Sequence, residues 1–143
     1  MKIGKIQKLV KKYLDKEWGK LDFKYELEDD SISVVADLTL TKCGVDLSVL
    51  MEIFITESGL AAFDVTFDKL DMTVENLQLI HDFNKTMAFF KAYITDKGYF
   101  RLARYVEIFD EDNVAPCLDT FFYFLLDDKT EDALEDIVPL LHD

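Results

Sequence analysis

The chain has only two cysteines, two histidines, two prolines and five glycines in 143 residues. Each scarcity removes a class of protein. Cys43 and Cys117 form no metal-type CxxC pair, and two thiols cannot staple a disulfide-dense scaffold; they are expected to be reduced. Two histidines, one of them penultimate, leave little for a metal centre or a nucleophile–base pair. No Ser-, Gly- or Pro-rich tract divides the chain, so residues 1–143 are expected to form one domain without repeats. No apolar run approaches the roughly 18 residues of a membrane-spanning helix. The start, "MKIGKIQKLVKKYLDKEW", carries neither the unbroken apolar region nor the small-residue cleavage site of an export signal. A cytoplasmic address without membrane insertion is the expectation.

Motifs of catalysis are missing too. There is no Gly-rich phosphate loop, GxSxG elbow or HExxH helix. "DEDNVAPCLD" opens like a calcium loop with Asp110 and Asp112, but Val114 stands where a third oxygen ligand is needed. Ala115 replaces the sixth-position glycine, and Phe121 replaces the bidentate glutamate. Helix capping by Asn113 explains the stretch. His81, beside the apolar stripe of a helix, is expected to be partly buried and hydrogen-bonded to backbone, and His142 to fray with the chain end. No catalytic, cofactor-binding or metal residue is assigned, and a non-enzyme is expected.

Aromatic residues and acids are abundant: twelve Phe, six Tyr, one Trp, and 29 Asp or Glu against 16 Lys or Arg. The charge is lopsided, with net +5 over residues 1–24 and net −18 over residues 25–143, together making the −13 of the whole chain. A body this acidic repels phosphate backbones, which argues against nucleic-acid binding. It either serves solubility or steers basic partner segments toward the protein.

Hydrophobic periodicity divides the chain into elements. Residues 3–18 place Ile3, Ile6, Leu9, Val10, Tyr13, Leu14 and Trp18 at helical spacing among lysines, an amphipathic basic helix expected to dock on its own domain. The period then falls to 2 in "FKYELE", "SISVVADLTL", "VDLSVLMEIFIT" and "LAAFDVTFD", four strands joined by "EDDS", "KCG" and "ESG" turns. Thr73 can cap a helix whose stripe is Val74, Leu77, Ile80, Phe83 and Met87, with Glu75 in its first turn. Asn84 is expected to satisfy the turn that follows. "FKAYIT" and "YFRLARYVEI" form a hairpin around "DKG", and Pro116 suits the first turn of a helix that closes the chain, with a break expected near Asp127–Lys129 and another at Pro139. The order α-β-β-β-β-α-β-β-α predicts an α+β domain with helices on one face of an antiparallel sheet.

If the face bearing Phe63, Val65 and Phe67 packs on the helices, the opposite face is not wholly polar. It would carry Val35, Leu50 and Phe54, and from the second hairpin Tyr93, Tyr99, Arg101 and Tyr105. Such a mixed aromatic patch suggests a protein-binding or dimer surface.

The stretch "TVENLQLIHDFNKTMAFFKAYITDKGYFRLARYVEI", followed by a Phe- and Leu-rich helix, resembles the YbjN-like proteins of bacteria. In those, a helix ending in an Asn-containing element leads into a strand, a Gly turn, a second strand and a helix. Phe83–Asn84 keeps the "FN" element and Gly98 the turn glycine, while Asp82 stands where an earlier Asn is common. The similarity covers residues 73–126; over residues 1–72 it is one of topology. The resemblance implies a fold like that of type III secretion chaperones: small, acidic, often homodimeric proteins that hold extended client segments without ATP. It supplies no catalytic residues. The expected function is therefore non-catalytic protein binding, chaperone- or adaptor-like and self-associating. The alternative is an acidic immunity protein or inhibitor that binds a basic toxin or enzyme.

Overall fold

In a computed structural model, which describes all residues 1–143, a helix α1 (Ile3–Trp18) precedes strands β1 (Lys24–Leu27), β2 (Ser31–Lys42), β3 (Val45–Thr56) and β4 (Leu60–Lys69). Helix α2 (Val74–Thr86), strands β5 (Lys91–Ile94) and β6 (Tyr99–Glu107), and helices α3 (Val114–Leu126) and α4 (Asp128–Leu134) complete the chain. The six strands form one antiparallel open sheet in the order β1-β2-β3-β4-β6-β5. The fold is the expected α+β arrangement, with the closing helix divided in two at Asp127. A 3-10 turn, Val138–Leu140, surrounds Pro139.

Period-2 alternation is realised most fully in the β2–β3 hairpin, which pairs without interruption from Ser31↔Thr56 to Lys42↔Val45. Its two-residue turn is Cys43–Gly44, both with positive φ (55° and 74°). Such a turn matches the right-handed twist of the strands, and glycine takes one of its two costly positions. Ile32, Val34, Ala36, Leu38 and Leu40 on β2 and Leu47, Val49, Met51, Ile53 and Ile55 on β3 are all buried on one face.

That face carries the helices. Ile6, Val10 and Leu14, spaced by four, are the fully buried side of α1. Phe121 of α3 stacks on Phe63 of β4 at 4.7 Å between ring centroids, and Phe122 stacks on Trp18 at 4.6 Å. The result is one continuous core of 34 buried residues. Each fully buried Phe, Leu or Ile side chain in it stabilises the fold by about 1.5–3 kcal/mol relative to exposure.

Several local expectations shift. Thr73 does cap α2, its hydroxyl accepting from the Asn76 amide at 3.1 Å. The stripe below it is buried only at Ile80, Phe83 and Met87, whereas Val74 and Leu77 are exposed. Neither side chain of that first turn joins the packed core. His81 is exposed rather than partly buried. Asn113 makes no capping bond; instead Asp110 caps the 3-10 turn Glu111–Asn113 through the Asp112 amide at 2.7 Å. The chain end is docked, not frayed. His142 and Lys69 exchange two backbone hydrogen bonds (2.8 and 3.0 Å), and the His142 Nε2 lies 2.9 Å from the Asp71 Oδ1.

Candidate functional site

All four helices are accounted for on the inner face, so the outer face of the sheet is left open. The strand register decides which outward side chains become neighbours. One row runs Ser33, Phe54, Ala62, Tyr105; the next runs Asp37, Leu50, Thr66, Arg101, Tyr93. Between them lie Val35, Glu52, Asp64 and Ala103. Val35, Leu50, Phe54, Tyr93, Arg101 and Tyr105, separated by up to 70 positions in sequence, thus share one surface. Tyr99 stands past an irregularity between Thr66 and Lys69, with the Lys69 ammonium 5.6 Å from its ring.

Phe54 and Tyr105 are the open apolar part of the surface, 39% and 60% exposed, separated by the small Ala62. Beside them lies a polar network. The Arg101 Nε donates to the Thr66 hydroxyl at 2.9 Å, and its Nη1 donates to the Tyr93 hydroxyl at 3.3 Å. No carboxylate lies within ion-pair distance of Arg101; the two ion pairs of the chain are Lys5–Glu111 and His142–Asp71. Burial pushes the Asp64 carboxyl up; nearby Arg101 opposes that shift and Glu52 adds to it. One Asp64 oxygen, Oδ1, is buried without a hydrogen-bond partner. Burial, then the Asp64 charge, pushes the Tyr105 hydroxyl up to about 12.

A depression of about 760 Å³ adjoins the network, lined among others by Asp37, Thr39, Leu50, Thr66, Tyr99 and Arg101. A guanidinium, a phenol and a hydroxyl hydrogen-bond here beside carboxylates and apolar rings, which is the chemistry of recognition surfaces. No group of three or more His, Cys, Asp or Glu side chains is placed to hold a metal ion. Cys43 and Cys117 are both free and half-buried, and burial pushes both thiols up, away from the reactive thiolate form.

Sequence reasoning missed Glu52, Asp64 and Thr66. Alternation alone marks all three as outward-facing, but only the β3–β4–β6 register brings them to Arg101 and Tyr105. Comparison with protein-family models, curated proteins and solved structures finds no match to this chain.

Proposed function

We propose that this chain is a non-catalytic protein-binding domain, chaperone- or adaptor-like, that takes an extended basic and apolar segment of a partner on its outer sheet face. The observation that carries the reading is the uncovered face itself, where Phe54 and Tyr105 stand half-open beside the Arg101–Thr66–Tyr93 network. A net charge of −13 favours a basic segment through steering. The YbjN-like resemblance over residues 73–126 supports the same reading, and with it a bacterial, cytoplasmic, self-associating protein.

Peptides selected on the full chain from a random library, then mapped by amide NMR shifts, test it. The expected result is enrichment of basic–apolar peptides that perturb β3, β4 and β6 at outward positions and are lost in Phe54→Asp and Tyr105→Asp variants. Peptides that bind both variants as tightly as the parent would sink the reading.

The acid excess favours a second reading, an immunity protein or inhibitor of a basic enzyme. The two differ in salt response: steering by charge makes the association rate fall steeply with ionic strength, whereas capture of apolar segments changes little.

A further inference from the structure

On the inner face of the sheet, Lys42 at the end of β2 and Arg104 within β6 are cations that break the apolar rule, and Arg104 is the one that borders a cavity. The alternation of β6 turns Phe100, Leu102 and Val106 inward, and the position between the last two is Arg104, paired in register with the buried Phe63. Its guanidinium lies 4.5 Å from the Phe89 ring centroid, and its Nη1 donates to the Phe89 carbonyl at 3.4 Å. Its Nε is buried without a partner. No carboxylate comes within ion-pair distance, in a chain with 29 acids. Stacking on Phe89 explains why the side chain stays in place, not why a cation stands there; leucine would continue the pattern without an unmet donor.

Arg104 and Phe89 line a cavity of about 740 Å³, within the range of about 300–1,000 Å³ typical of small-molecule sites. Its other walls are Met87, Ala88, Phe124 and Ala133, with Lys129 and Asp132 among the remaining lining residues. Phe124 stacks on Phe89 at 4.2 Å and continues the aromatic surface beneath the guanidinium. Lys129 is exposed and makes no ion pair.

We propose that this cavity binds a small amphipathic monocarboxylate, its carboxylate on Arg104 with Lys129 beside it and its apolar body against Met87, Phe89, Phe124 and Ala133. A planar carboxylate matches the guanidinium fork. A neutral ligand leaves Arg104 without a counter-charge, a purely polar anion wastes the apolar walls, and Asp132 opposes a dianion. The cavity lies on the opposite face of the sheet from Phe54 and Tyr105, so this site stands or falls independently of the protein-binding surface.

Titration of the full chain with octanoate, 1-octanol and acetate, by calorimetry and amide NMR, tests it. Octanoate should bind saturably and at least tenfold more tightly than the other two, shifting the amides of Phe89, Phe124 and Ala133. Arg104→Gln should weaken it at least tenfold, Lys129→Glu several-fold, and Arg101→Gln on the outer face not at all. Because Lys129 is exposed, that variant carries the test if Arg104→Gln fails to fold. Equal binding of 1-octanol, no saturable octanoate binding, shifts confined to the outer face, or full affinity in Lys129→Glu would overturn the proposal.

Discussion

The carboxamide of Asn84, at the end of α2, closes on both backbone groups of Ala92 in β5: Nδ2 donates to the Ala92 carbonyl at 2.9 Å and Oδ1 accepts from its amide at 2.7 Å. β5 is the last strand of the sheet, with β6 on its other side. One side chain therefore stands in for a missing neighbouring strand and blunts an edge that would otherwise invite pairing. Asn84, expected from the sequence to satisfy the turn after α2, is a structural clamp that reaches past that turn to β5.

Replacing Asn84 by Ala strips both partners from a backbone unit that is almost fully buried. Unmet buried donors and acceptors cost about 1–3 kcal/mol each. Asn84→Ala should lower the urea midpoint by a corresponding amount and accelerate amide exchange at Ala92 ahead of the β2–β3 hairpin.

Gly59 and Gly98 both adopt positive φ, 93° and 89°, but their surroundings differ. A Cβ at Gly98 meets nothing, whereas one at Gly59 collides with the Ile108 carbonyl oxygen. Gly98→Ala should cost only the left-handed strain, about 1–2 kcal/mol. Gly59→Ala should cost distinctly more and break the Ile108–Gly59 backbone bond of 2.7 Å. Thermal unfolding of the pair reads the difference.

Burial holds the Asp64 carboxyl above the usual carboxylate range, so the folded state binds its proton more tightly than the unfolded chain. That contribution is present in full below the ordinary value and is lost as pH rises through the raised folded one. Asp64→Asn should therefore be more stable than the parent at pH 7, with the advantage shrinking toward about pH 4. Denaturant midpoints across that range check it.

His142 faces Asp71, and that hydrogen bond, with one to the Asp143 backbone, raises its imidazole above the usual value. Here the stabilisation is present below the unfolded value and disappears as pH rises through the folded one. An NMR titration should place the His142 midpoint above about 6.5, and Asp71→Asn should bring it down.

Phe121 of α3 is fully buried against Phe63 and Phe90. Phe121→Ala should cost about 3–5 kcal/mol, because the rigid sheet beneath cannot collapse into the space left. A loss below about 1 kcal/mol in chemical denaturation would contradict that packing.

Much of the fold was legible because one physical signal, the switch between periods 3.6 and 2, is local. It placed α1 at residues 3–18 and β3 at residues 45–56, and it correctly assigned Phe63, Val65 and Phe67 to the covered face. It misjudged Val74 and Leu77, whose apolar spacing is helical but which stay outside the packed core, because spacing fixes a helix face and not what packs against it. It also treated the chain end as free, since the Lys69–His142 bridge joins segments far apart in sequence.

Element types, the apolar face that forms the core, and the outward direction of Val35, Leu50, Phe54, Tyr93, Arg101 and Tyr105 were all readable from the order of residues. Those follow from side-chain alternation, which needs no partner strand. It took the folded arrangement to show that Phe54 and Tyr105 flank Ala62, that Arg101 bonds Thr66 and Tyr93, and that Arg104 stands inward without a counter-charge. Those depend on register and on helix placement, which set distances between residues that the chain keeps far apart.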